Sequence, residues 1–121
     1  MPLTIIHDRL ATSVLLYFAA LMLWAFWRFF RKEGMNSSFW GAIVISEILI
    51  LLQGALGIIL WISSLRPAHG GMHVLYGVVG VLGVPVIFSI TKGKENRYEM
   101  LLYAAGYLCL AALAFRSMAT G

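Results

Sequence analysis

"FWGAIVISEILILLQGALGIILWISSL", residues 39–65, carries one charged side chain, Glu47, in a run longer than the ~20 apolar residues a helix needs to cross a bilayer. Three more such runs flank it. Leu3 to Phe30 is broken only by "HDR" at 7–9, and the others cover Met72 to Thr91 and Tyr98 to about Arg116. Between them lie "RKEGMNSS", "RPAHGG" and "KGKEN", the length of turns joining neighbouring helices. With 61% hydrophobic and 12% charged residues in 121, no soluble domain could hide this surface. The expectation is one all-α domain over 1–121, an integral membrane four-helix bundle. Its spans fall at about 5–30, 39–64, 72–91 and 98–117, running up-down-up-down in the lipid bilayer.

The first run reads as a retained span, not a cleaved leader. It is long, lacks a leading basic region and ends on "WRFFRK". Cys109 is the only cysteine, so no internal disulfide can form. The net charge of +4 comes from loop lysines and arginines and does not mark a nucleic-acid binder.

Basic residues near span ends favour the cytoplasmic side. Arg28, Arg31, Lys32, Lys92, Lys94 and Arg97 fall on one side, against Arg9, Arg66 and Arg116 on the other. Both termini are therefore expected outside, with a prokaryotic cytoplasmic membrane as the setting. That orientation collects all three histidines, His7, His69 and His73, in one outer layer. Below His73, at helical spacing, come Gly77 and Gly80, and below His7 come Ala11 and Val14. The second span adds Gly54 and Gly57 beside Gln53. Small residues let helices pack closely, and they equally let a flat, bulky group approach the backbone. The sharper reading is a heme b between the first and third helices, with His7 and His73 as its iron ligands. Arg9 and Arg66 lie at the level of its propionates, and His69 is a propionate partner or alternative ligand.

Two stretches carry a family resemblance. "HDRLATSVLLYFAALMLWAFWRFFRK" resembles the heme A synthase helix that opens on a His-Arg-type motif and ends in a basic turn. "LLQGALGIILWISSLRPAHGGMHVLYGVVGVLG" is similar to that family's next helix and outer loop, where a Gln, a Leu-Gly pair and a Leu-x-Pro precede a histidine. The resemblance covers about residues 5–85 and implies that His7 and His73 are the axial ligands of one heme b. The chain departs from the pattern in having no helix before the first histidine helix, no acid in "PLTII" and no outer cysteine pair. These departures argue against heme A formation and leave heme binding.

The resulting expectation is a small b-type cytochrome for electron transfer or heme handling, more a carrier than an enzyme in its own right. It would act as a homo-oligomer or within a larger membrane complex, exchanging electrons with a quinone or an outer-side carrier. The alternatives are a cofactor-free structural subunit of a respiratory or photosynthetic complex, and a heme-modifying enzyme. "HGGM" with His73 also offers ligands that suit copper. Glu47 reads as a buried acid bonded to a neighbouring Tyr or Ser, or as a proton or quinone group. Gln53 reads as inter-helix glue, and Pro85 as a bend in the third span. Trp24, Trp27, Phe29, Phe30, Phe39 and Trp40 read as a cytoplasmic aromatic belt, with Trp61 at the outer edge.

Overall fold

A computed structural model describes the chain over residues 3–62 and 70–120. It contains four α-helices: α1 (Leu3–Phe30), α2 (Ser37–Ile62), α3 (Gly70–Thr91) and α4 (Arg97–Thr120). Each is long and apolar enough to cross a membrane, and none of the described residues forms a strand. The chain is thus a membrane-type helical bundle.

The helix ends follow from the loop residues. After α1, Lys32 adopts a positive φ of 59°, and Asn36 then caps α2 by accepting the Phe39 N–H on Oδ1 at 2.8 Å. After α3, Lys92 and Gly93 both turn left-handed. A Cβ at Gly34 would run into the Glu95 carbonyl, so only glycine lets these two loops touch. Touch they do: Met35 N–H donates to the Glu95 carbonyl at 2.9 Å, and Trp40 Nε1–H to its carboxylate at 2.6 Å. Arg28 donates to the Gly34 carbonyl and Arg97 to the Phe29 carbonyl, both at the C-terminal end of α1, where cations suit the helix dipole.

In the bundle α1 packs on α4 and α2, and α3 packs on α4 and α2, whereas α1 and α3 stand diagonally, with no close backbone approach among the described residues. Each helix turns one stripe inward, and the buried positions reveal its phase: 14, 18, 21 and 25 on α1; 39, 43 and 46 on α2; 80, 84 and 91 on α3; 100, 103, 107 and 110 on α4. Ala25 and Ala104 are fully buried, and a Cβ on Gly83 would lie 2.7 Å from Leu110 Cδ2, so small residues set the close approaches. The glycines that bring helices together in this way are Gly83 and Gly106, on α3 and α4, which the sequence reading passed over.

The core of the half nearest the α1–α2 and α3–α4 loops is filled by Phe18, Phe39, Ile43, Met100, Tyr103 and Tyr107. Phe39 is fully buried, packing at 4.8 Å on Trp24 and edge-on to Tyr103. Trp24 is half-buried against the same core. Both therefore leave the expected aromatic belt, because their helical phase matches the inward stripes. Trp27 and Phe30 do face outward, and Arg97 stacks on Phe29.

Ser46 and Tyr107 form the buried polar link of this core, their hydroxyls 2.7 Å apart across α2 and α4. Tyr17 joins α1 to α2 by donating to the Ala42 carbonyl at 2.8 Å. Ser46→Ala and Tyr107→Phe, alone and combined in a double-mutant cycle, should give a coupling of ~0.6–1.7 kcal/mol in reversible unfolding from detergent. Additive effects would mean that the two hydroxyls do not share a bond.

Candidate functional site

Away from the loops the inward stripes change character. Continued by heptads and half-heptads, the α1 stripe reaches His7 and the α2 stripe reaches Gln53, Gly57 and Leu60. By register, the α3 stripe passes through Gly80 and position 77 to position 73. Where the loop half presents tyrosines and phenylalanines to the axis, this half presents histidine, glutamine and glycine. Leu60 is the one large α2 side chain buried there among the described residues.

His7 is half-buried, and its Nδ1 is shielded from solvent. Its Cε1 lies 3.4 Å from where a Cβ on Gly57 would stand, so the ring rests against the bare backbone of α2. One turn earlier on α2, Gln53 donates from Nε2 to the His7 carbonyl at 2.9 Å. Gln53 is inter-helix glue, as read from sequence, and the helix segment it fixes is the one bearing the histidine. The remaining Gln53 oxygen, Oε1, is buried and makes no hydrogen bond among the described residues.

The four glycines divide into two kinds. A Cβ on Gly54 or Gly77 would meet no atom within 4 Å, while Gly80 is buried against Ile50 of α2. Gly57 and Gly80 are therefore contact positions, and Gly54 and Gly77 border open space. Arg9 is exposed on α1, two residues from His7. His73 lies in the first turn of α3, and its side chain, like those of Met72 and Trp61, is outside the described residues, as are His69 and Arg66 entirely. Among the described residues no three His, Cys, Asp or Glu side chains cluster as a metal site.

Glu47 sits apart from this layer. It is half-buried on α2, and its Oε2 is shielded without a hydrogen bond among the described residues. The bond from α2 to a tyrosine of another helix is made by its neighbour Ser46, to Tyr107. Glu47 lines a cleft of ≈ 500 Å³ between α2 and α3, with Trp40, Ile43, Val44, Ile48, Val84, Pro85, Phe88 and Ser89. α3 runs as one helix through Pro85, whose carbonyl accepts the Ser89 hydroxyl at 2.9 Å.

Compared with known proteins, the chain matches no family model, no curated protein and no solved structure.

Proposed function

We propose that the chain is a small b-type membrane cytochrome that holds one heme b between α1 and α3, for one-electron transfer or heme handling. The observation that carries the reading is the loss of bulk along the inward stripes. His7 on α1 and position 73 on α3 continue the core-facing phase of two diagonally placed helices whose described backbones do not approach closely, and Gly57, Gly77 and Gly80 lie between and below them. A helix interior of glycines with a shielded imidazole calls for a filling group, because lining atoms without neighbours lose their dispersion contacts. The residues that would border a porphyrin are Gly54 and Gly77, which face open space, His7, whose ring lies against Gly57, and Gln53, whose Oε1 is buried without a hydrogen bond among the described residues.

His7 and His73 would hold the iron, neutral imidazoles from opposite sides, with Arg9 and Arg66 facing the propionates and His69 a reserve partner. The heme would supply a one-electron redox couple and, with both axial positions filled, no open site for a substrate. Gln53 fixes the α1 segment through the His7 carbonyl, so the imidazole is held in place by a bond that does not involve its own nitrogens. The arrangement we infer runs up-down-up-down. The α1–α2 and α3–α4 loops meet at one end, and their six basic residues put that end on the inside of a prokaryotic cytoplasmic membrane, with both termini out.

The test is an absorption spectrum of detergent-purified protein, oxidised and then dithionite-reduced, from cells supplied with heme precursor. A sharp reduced α-band at about one heme per chain is expected for bis-histidine ligation. Gly57→Leu should greatly weaken that band, because the new side chain claims the space against which the His7 ring rests. A colourless wild-type protein would sink the reading and leave a cofactor-free subunit held together by helix packing.

A further inference from the structure

The cleft around Glu47 has walls whose hydrogen-bond donors are already committed. Trp40 Nε1–H is spent on the Glu95 carboxylate and the Ser89 hydroxyl on the Pro85 carbonyl. The other lining side chains, Ile43, Val44, Ile48, Val84, Pro85 and Phe88, are apolar. Glu47 Oε2 is left shielded from solvent and without a hydrogen bond among the described residues. A carboxyl oxygen in that state inside a membrane is costly and usually marks a functional site. The missing partner must bring its own polar group. An acyl chain has none, while a second copy of this face would bring another Glu47 carboxyl, an occupant that cross-linking distinguishes.

Position 47 lies ten residues into α2 from Ser37, ~15 Å along the axis and near the middle of a ~30 Å hydrocarbon core. The ligand must therefore travel in lipid. Val44 and Ile48 are exposed at the rim of the cleft, where lipid would reach it. Trp40 and Phe88 meet edge to face at 5.8 Å and form an aromatic wall, against which a flat ring packs well. The space, ≈ 500 Å³, is within the usual range of small-ligand sites.

We propose that this cleft binds the ring of a lipid-soluble quinol, with a ring hydroxyl donating to the Glu47 carboxylate and the apolar tail lying in the bilayer. The inference deepens the cytochrome reading and rests on it for the choice of a redox-active ring. On α2, Glu47 is ten residues from Gly57, the backbone against which His7 rests, or ~15 Å along the axis. The quinol site and the histidine layer are thus separate places on one bundle.

The test uses the full chain in phosphatidylcholine nanodiscs, titrated with decylubiquinol while tryptophan emission is followed. Saturable quenching that Trp40→Phe diminishes is expected. Glu47→Ala should weaken apparent binding about tenfold or more, a change worth ~1.4 kcal/mol, and Glu47→Gln should largely restore it, because the amide carbonyl still accepts. Val44→Phe, which fills the rim from an exposed position, should block binding without touching the core. The heme α-band is read in the same samples. Quenching without heme would overturn the cytochrome reading alone, and heme without Glu47-dependent quenching would overturn this proposal alone. Non-saturating quenching identical in all variants marks plain partition into lipid, with acyl chains in the cleft, and overturns it. So does a cross-linked dimer through Glu47 that decylubiquinol does not disperse.

Discussion

Replacement of either His7 or His73 by alanine should yield a folded four-helix protein that has lost most of its heme. The two positions share a property that no other pair of described positions combines with a ligating side chain. They continue the inward stripes of α1 and α3, helices placed diagonally across the bundle with no close backbone approach among the described residues. The fold should survive because the close-packed core lies in the other half, around Phe18, Phe39, Tyr103 and Tyr107. The anchor of the α1 segment should survive as well, since Gln53 bonds to the carbonyl of residue 7, which alanine keeps. Losing one iron–nitrogen bond exceeds the ~1.4 kcal/mol of a tenfold change in affinity, so heme per chain should fall about tenfold or more in each variant. The measurement is the reduced α-band per chain, alongside helix content by circular dichroism. His69→Ala serves as the comparison, expected to keep the band if residue 69 is only a propionate partner. Full heme content in both single variants would remove His7 and His73 as ligands.

Phe39→Ala should destabilise the bundle by ~3–5 kcal/mol, whereas Phe30→Ala should change stability by less than ~0.5 kcal/mol. The two phenylalanines are equally apolar and both lie near the same end of the bundle, yet Phe39 is 0% exposed and Phe30 is 72% exposed. Truncating Phe39 opens a cavity between Trp24 and Tyr103, rings that cannot collapse without moving α1 and α4. Truncating Phe30 trades protein–lipid contact for lipid, which refills the space. Reversible unfolding of both variants in mixed detergent micelles reads the difference. Equal losses would place Phe39 in the lipid-facing belt after all.

The distinction between these two residues shows what hydropathy can and cannot decide in such a chain. The four long apolar helices were legible because crossing a bilayer demands length and apolarity, and the loops after α1 and α3 because Gly34, Asn36, Gly93 and Asn96 interrupt or cap helices by local chemistry. The importance of His7, Gln53 and Glu47 was legible too, since a polar side chain in an apolar run is expensive wherever it points. His7 was placed at the head of a strip of small residues, and Gln53 was read as glue, which its bond to the His7 carbonyl bears out.

Which face of each helix turns inward was not legible. In water the buried stripe is apolar and the exposed one polar, so sequence reveals the phase. In lipid the outside is as apolar as the inside, and the phase is set by packing of small residues and by inter-helix hydrogen bonds. Hence Phe39 and Trp24 were read as belt residues when they belong to the core, and Gly83 and Gly106 were overlooked as contact points. Hence, too, Glu47 was expected to bond a Tyr or Ser of a neighbouring helix, and Ser46, one position away, which bonds Tyr107, was passed over. A step of one residue turns a helical side chain by ~100°, from a neighbouring helix toward the bilayer. The sequence by itself determined four helices long and apolar enough to cross a membrane, and which polar side chains interrupt them. Only the packed bundle decided which of them meet, because in an apolar solvent the contacts themselves, and not the avoidance of water, choose the faces.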